Sequence, residues 1–300
     1  MFKLLVFWMA ILITSANHAA VPQVVVTIKP IHSLVSGVME GVDTPYLLLS
    51  GGESPHHYSL RPSQVRQLHR AAVVIWVAPT VETFLEKVVA TLGDKTRILR
   101  LIEVPGLNLL KVREGKTWET HHHDSGFEID SHIWLSPDNA KVIVQAVART
   151  LSLADANNAA RYAANAVRLV ERLEQLDQAL KQQLAPVKEL PYLVFHDAYQ
   201  YFEHHYGLTA VGAVALSPES RPSVRRLYQL RASMKKQQIR CVFSEPQFEP
   251  ALVATLIEGT SVRRGVLDPL GADLPVGVEG YFTLLGNLAE SLRRCLQTAG

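Results

Sequence analysis

Asp155 to Pro186 reads DANNAARYAANAVRLVERLEQLDQALKQQLAP, the most helical stretch of this 300-residue chain. Leu169, Leu173, Leu176, Leu180 and Leu184 recur at three- and four-residue spacing, with Arg168, Glu171, Arg172, Glu174, Asp177 and Lys181 on the other positions. Pro186 stops the pattern because proline removes a donor and clashes with the preceding turn. Some thirty residues at a rise of 1.5 Å make a rod of about 45 Å, enough to run the length of a two-lobed protein. As a connection such a rod is stiff, unlike paired extended strands that let domains hinge widely. The same leucine seam, about two heptads long, also fits a coiled-coil dimerisation helix.

On both sides of this segment, short apolar runs alternate with helical patterns. Before it come Val24 to Ile28, Tyr46 to Leu49, Val73 to Val77 and Ile98 to Leu101; after it come Tyr192 to Phe195, Thr209 to Ala213, Cys241 to Ser244 and Gly265 to Leu267. Strands that are apolar throughout, without in/out alternation, belong in parallel sheets covered on both faces. The expected fold is therefore α/β: two lobes, each with a mainly parallel sheet flanked by helices, joined by one long rigid α-helix. The boundaries fall at 21–154 for the N-terminal lobe, 155–186 for the helix and 187–300 for the C-terminal lobe. A chain of this length can bury two cores.

Composition narrows the function. With 48% hydrophobic and 19% charged residues the chain is neither disordered nor polytopic. Thirty Lys and Arg are scattered against 28 Asp and Glu, which gives no footprint for nucleic acid. Met1 to Ala20 has Lys3, an apolar run from Leu4 to Ile13 and a small-residue exit at Ala19-Ala20, the layout of a secretory signal peptide. The apolar run is too short to span a hydrocarbon core about 30 Å thick, and no cysteine follows it to carry a lipid anchor. An exported chain meets oxidising conditions, so Cys241 and Cys295 either pair or remain as two buried thiols. Paired, they would staple the last helix to a strand of the second half, for about 4 kcal/mol on a chain-entropy model.

Histidine carries the chemistry, with 12 in the chain. Parallel α/β sheets bind ligands where the carboxyl ends of strands meet. There the run Tyr46 to Leu49 leads into Glu53-Ser54-Pro55-His56, and Tyr192 to Phe195 leads into His196-Asp197. His132 precedes Ser136-Pro137, a helix start with serine as N-cap. Neutral imidazole is a common zinc ligand, and three such nitrogens plus a carboxylate or water complete a tetrahedron. His56 and His132 come from one lobe and His196 from the other, so a shared ion would lie in the cleft. Each histidine singly also reads as a hydrogen-bonded loop residue. Asp197, adjacent to His196, is expected to orient that ring. The tract His121-His122-His123-Asp124, inside the polar loop 115–126, could hold a metal weakly or be solvated loop with no role. His204-His205 fits a surface or packing role. Neither a His-Glu-x-x-His helix nor a Gly-x-Ser-x-Gly elbow is present, which speaks against a hydrolase.

Taken together, Gly51-Gly52-Glu53-Ser54-Pro55-His56-His57-Tyr58, His132-Ile133-Trp134-Leu135-Ser136-Pro137, Phe195-His196-Asp197-Ala198-Tyr199 and Cys241-Val242-Phe243-Ser244-Glu245-Pro246 resemble the successive motifs of periplasmic zinc-binding proteins of bacterial ABC importers, the ZnuA type. The resemblance implies a monomeric, non-enzymatic solute-binding protein of the periplasm that holds Zn(II) between its lobes and hands it to an inner-membrane ABC zinc permease. By position, His56, His132 and His196 match the three histidine ligands of that family, and Cys241 and Cys295 its disulfide. Asp268, in Leu267-Asp268-Pro269-Leu270-Gly271, matches a position that supplies a carboxylate ligand in manganese-binding relatives. Where some zinc members carry Glu before the first histidine, this chain has Pro55. The expected fourth ligand is thus water or Asp268, with Glu53 behind them.

Overall fold

Val24–Val26 (β1) is buried at every residue, and parallel neighbours flank it on both sides. The structure, a computed structural model, describes residues 21–50, 52–113, 118, 129–215, 222–248 and 251–297. The signal-peptide reading of residues 1–20 and the tract His121, His122, His123 and Asp124 lie outside them. After β1 come Lys29–Val38 (α1), Tyr46–Leu47 (β2), Pro62–Arg70 (α2), Val73–Trp76 (β3), Glu86–Val89 (α3) and Arg97–Arg100 (β4). These strands form a parallel sheet in the order β2-β1-β3-β4. Amides of Leu48 and Leu49 continue the β2 pairing to Val26 and Thr27, as far as the apolar run predicts.

Pro137–Ala154 (α4) begins where expected, with the Ser136 hydroxyl accepting from the Asn139 amide at 3.2 Å. Ala159–Leu184 (α5) is the long helix, 26 residues extended by 3-10 turns at Ala156–Asn158 and Ala185–Val187. The second half repeats the plan with Tyr192–Val194 (β5), Gln200–Tyr206 (α6), Ala210–Ala213 (β6), Val224–Lys236 (α7), Cys241–Ser244 (β7), Ala251–Ile257 (α8), Arg263–Val266 (β8) and Gly280–Gln297 (α9). Its parallel sheet runs β6-β5-β7-β8. In each sheet the strand order reverses direction between two central neighbours, β1 and β3 or β5 and β7, and this reversal is where α/β sheets open a crevice.

The two expected cores are one. A single apolar cluster runs from Val24 in the first sheet through Leu169, Leu173 and Leu180 of α5 to Leu292 and Leu296 of α9. Smaller clusters back the far face of each sheet, one including Leu68 and Val89, the other Leu230 and Val253. The reason is α1 and α9. Every residue of α1 from Pro30 to Val38 is buried, and α9, although it follows β8, packs on both α1 and α5. Gly37 lets α1 and α5 approach closely, since a Cβ there would lie 2.8 Å from a Leu169 methyl. The leucine seam of α5 is thus covered by helices of its own chain. Cys241 and Cys295 are bonded, tying β7 to α9 with Cα atoms 6.1 Å apart. Among the described residues no helix is long and apolar enough to cross a membrane.

Candidate metal centre

Three loops deliver one imidazole each. Ser54 caps a 3-10 turn at Pro55–His57 and sets His56 at its centre, beyond the end of β2. His132 is the N-cap of a 3-10 turn, Ile133–Leu135, that leads into α4. His196 stands two residues past β5. The ring centroids of His56, His132 and His196 lie 5.4–6.0 Å apart, and one ligand nitrogen from each falls within 4.8 Å of the others. Zn–N bonds of about 2.0–2.1 Å would need each ring to move inward by less than about 1 Å. His132 and His196 are 9% and 5% exposed, while His56 is half-buried.

A carboxylate stands behind each of the two buried rings. Asp130 Oδ1 lies 2.7 Å from His132 Nδ1 and also accepts the His132 amide at 3.0 Å. Glu245 Oε1 lies 2.7 Å from His196 Nδ1 and accepts the His196 amide at 3.3 Å. One oxygen therefore fixes both the backbone and the ring of each histidine. With Nδ1 holding the proton for the carboxylate, Nε2 is left as the ligand atom. Nε2 of both His132 and His196 is buried and has no hydrogen-bond partner among the described residues. Two lone pairs aimed into one pocket without a donor are costly unless a cation or water meets them. The donor set therefore fits a metal ion.

Electrostatics separate the rings. Burial, then the charges of His132 and His196, hold His56 well below the usual histidine value, which keeps it in the neutral, ligating form. Burial acts the same way on His196, but the Glu245 carboxylate outweighs it and holds that ring above its usual value. The pocket around the rings is about the size of one water and is walled by Ser54, Trp134, Phe248, Pro269 and Leu270.

Not every residue singled out from sequence joins this group. Asp268 faces elsewhere: Oδ1 accepts from the Leu270 and Gly271 amides and from Gln247 Nε2, and Oδ2 accepts from the Ala272 amide at 2.6 Å. It caps a turn, and the histidine cluster forms without it. Glu53 is exposed on the loop before Ser54. Asp197 does not orient His196; it pairs with Arg113, whose Nε donates to Oδ2 at 3.0 Å, while Arg113 Nη1 meets Glu203 at 2.8 Å. Burial raises both carboxyls, and the guanidinium opposes that rise. His205 packs between helices, bonded to Asp177 at 2.7 Å.

Sequence reasoning passed over Asp130 and Glu245, although a signal for Glu245 exists. The β5–β7 register pairs Tyr192 with Cys241 and Leu193 with Val242, and the same offset of 49 carried onward sets Glu245 beside His196. Asp130 is two residues before His132, a spacing at which aspartate bonds the backbone ahead of it.

Comparison with known proteins agrees with this architecture. Residues 24–295 match the family described as zinc-uptake complex component A, periplasmic. The high-affinity zinc uptake system protein ZnuA of Brucella abortus (strain 2308) is 42% identical over 304 residues, covering 91% of each chain. The Zn(II)-bound ZnuA-like domain of Streptococcus pneumoniae AdcA superposes with a TM-score of 0.73 at 25% identity, over 93% of this chain and all of that one. The periplasmic zinc-binding protein TroA of Treponema pallidum shares the fold, with a TM-score of 0.81 at 21% identity over 93% of this chain and all of the other. A match that spans both lobes and the helix between them, together with a 42% identical relative, makes this chain a member of the zinc-uptake complex component A family.

Proposed function

We propose that this protein captures zinc(II) in the periplasm and delivers it to an inner-membrane ABC permease, with His56, His132 and His196 as its protein ligands, the last two through Nε2. The observation that carries the reading is the convergence of three imidazoles from both lobes, two of them with buried Nε2 atoms that have no partner among the described residues. Imidazole donors favour zinc over manganese, magnesium or calcium, which prefer oxygen. Water fills the fourth position in this reading, because Asp268 spends both oxygens on amides and Gln247, and Glu53 is exposed. Relatives named as a high-affinity zinc uptake system protein and as a Zn(II)-bound domain support the choice of metal. Members of the family are components of uptake systems rather than enzymes, so the hydrolase reading falls away. In this reading the protein acts as a monomer.

The test is a titration of the metal-free mature chain with zinc and with manganese, followed by thermal unfolding. Zinc at a thousandfold excess over Kd should add roughly 4 kcal/mol of stability. His196→Ala should weaken zinc binding by more than about tenfold. Equal stabilisation by manganese, or none by zinc, overturns the proposal.

A further inference from the structure

Lys29 opens α1, where a positive charge opposes the helix dipole, and no acidic residue offsets it in the first turn. Its partners explain the placement. The half-buried ammonium donates to the carbonyls of Gly271 at 3.3 Å and Leu274 at 3.2 Å, and to that of Ala272. All three belong to the segment after β8, on the other lobe. The amides of that turn go to Asp268, which takes those of Leu270, Gly271 and Ala272. One anion from the second lobe thus binds the amides of the turn, and one cation from the first lobe binds its carbonyls. Gly271 supplies the left-handed residue that the turn needs, at φ +69°.

What the turn carries is the wall of the metal pocket. Pro269 and Leu270 line it, and the Pro269 carbonyl accepts from Trp134 Nε1 at 2.8 Å, beside His132. The turn also meets the loop that bears His56, since a Cβ on Gly52 would lie 3.4 Å from that of Ala272. The histidine pocket therefore has a wall whose position depends on a contact between the lobes.

We infer that Lys29 is a positioning residue for metal retention, clipping the 268–274 turn of the second lobe over the histidine site and so setting how slowly the ion leaves. The inference rests on the zinc-capture reading above. Lys29 touches none of the three histidines, so its effect falls on dissociation rather than on the ligand set.

The experiment uses the full mature chain and two readouts. Zinc release is timed by chasing the loaded protein with excess chromophoric chelator, and amide hydrogen exchange of residues 270–272 is followed in the metal-free protein. Lys29→Met should speed release by about tenfold while changing association by less than about threefold, the usual division when contacts around a bound ligand are lost. Exchange at residues 270–272 should accelerate in the same variant, and Lys29→Arg should restore both readouts toward the parent. Leu270→Ala, which trims the wall and leaves the clip, should also speed release and serves if Lys29→Met folds poorly. Release within about twofold of the parent in either folded variant overturns the inference, as does unchanged exchange in Lys29→Met. A parent chain that binds no zinc instead refutes the functional reading, and the exchange data still report on the clip.

Discussion

Removing the carboxylate behind His196 should loosen the metal without touching a ligand. Glu245 is 2% exposed and its Oε1 lies 2.7 Å from a ring that is itself 5% exposed, so no water stands ready to replace it. Glutamine keeps an acceptor for Nδ1 and removes the charge; alanine removes both and strands a buried donor. Losing the partner of a metal-bound histidine costs about 10- to 100-fold in affinity, and charged acceptors are roughly twice as strong as neutral ones. Glu245→Gln should therefore sit near the tenfold end and Glu245→Ala near the hundredfold end, or about 1.4 and 2.7 kcal/mol. Asp130→Asn should follow Glu245→Gln, because Asp130 makes the same two bonds to His132. Competition against a chromophoric chelator at neutral pH measures the affinities, with circular dichroism of the metal-free variants as the folding control. A folded Glu245→Ala variant that binds zinc within about threefold of the parent would refute the reasoning, and would mean that packing alone orients the rings.

Three further outcomes concern the scaffold. Glu82 is fully buried among Thr27 and the amides of Val77 and Ala78, and burial raises its carboxyl from 4.5 to about 7. Because the folded value exceeds the unfolded one, its contribution is complete below about pH 4.5 and is lost as pH rises through about 7, a change of about 3 kcal/mol. Urea unfolding of the parent and of Glu82→Gln across that window should show their stability difference shifting by that amount; a constant difference would count against it. Cys295→Ser should cost up to about 4 kcal/mol, and reductant should bring the parent down to the same denaturation midpoint. A Cβ at Gly265 would lie 2.3 Å from the ring of Phe243, which is fully buried, so Gly265→Val should destabilise by about 1–3 kcal/mol in thermal unfolding.

Strand positions were legible because buried parallel strands write themselves as unbroken apolar runs. Val73 to Val77 and Cys241 to Ser244 fall on β3 and β7 within a residue. The start of α4 was equally plain, since Ser136 and Pro137 are local signals. The three histidines were legible as loop residues at strand ends and before a helix, and their convergence is a matter of strand order, β6-β5-β7-β8, which no single run encodes. Asp197 is adjacent in sequence, yet the carboxylate bonded to the His196 ring comes from the neighbouring strand of a parallel pair, while Asp197 bonds Arg113. Asp268 matched a ligand position by motif, but a carboxylate followed by a proline and then free amides is also a turn cap, and here the amides win. The merging of two cores into one depends on where α9 goes after β8, a tertiary choice that its amphipathic pattern leaves open.

Because α9 returns from the second half to lie against α1 and α5, the last helix completes a surface begun within the first forty residues. Cut at the long helix and expressed as separate pieces, neither half would be a self-sufficient folding unit. The N-terminal piece would expose the part of α1 that α9 covers, and the C-terminal piece would carry α9 without its seat. The intact chain should therefore melt in one cooperative step, and proteases should find no linker whose cleavage releases a stable fragment.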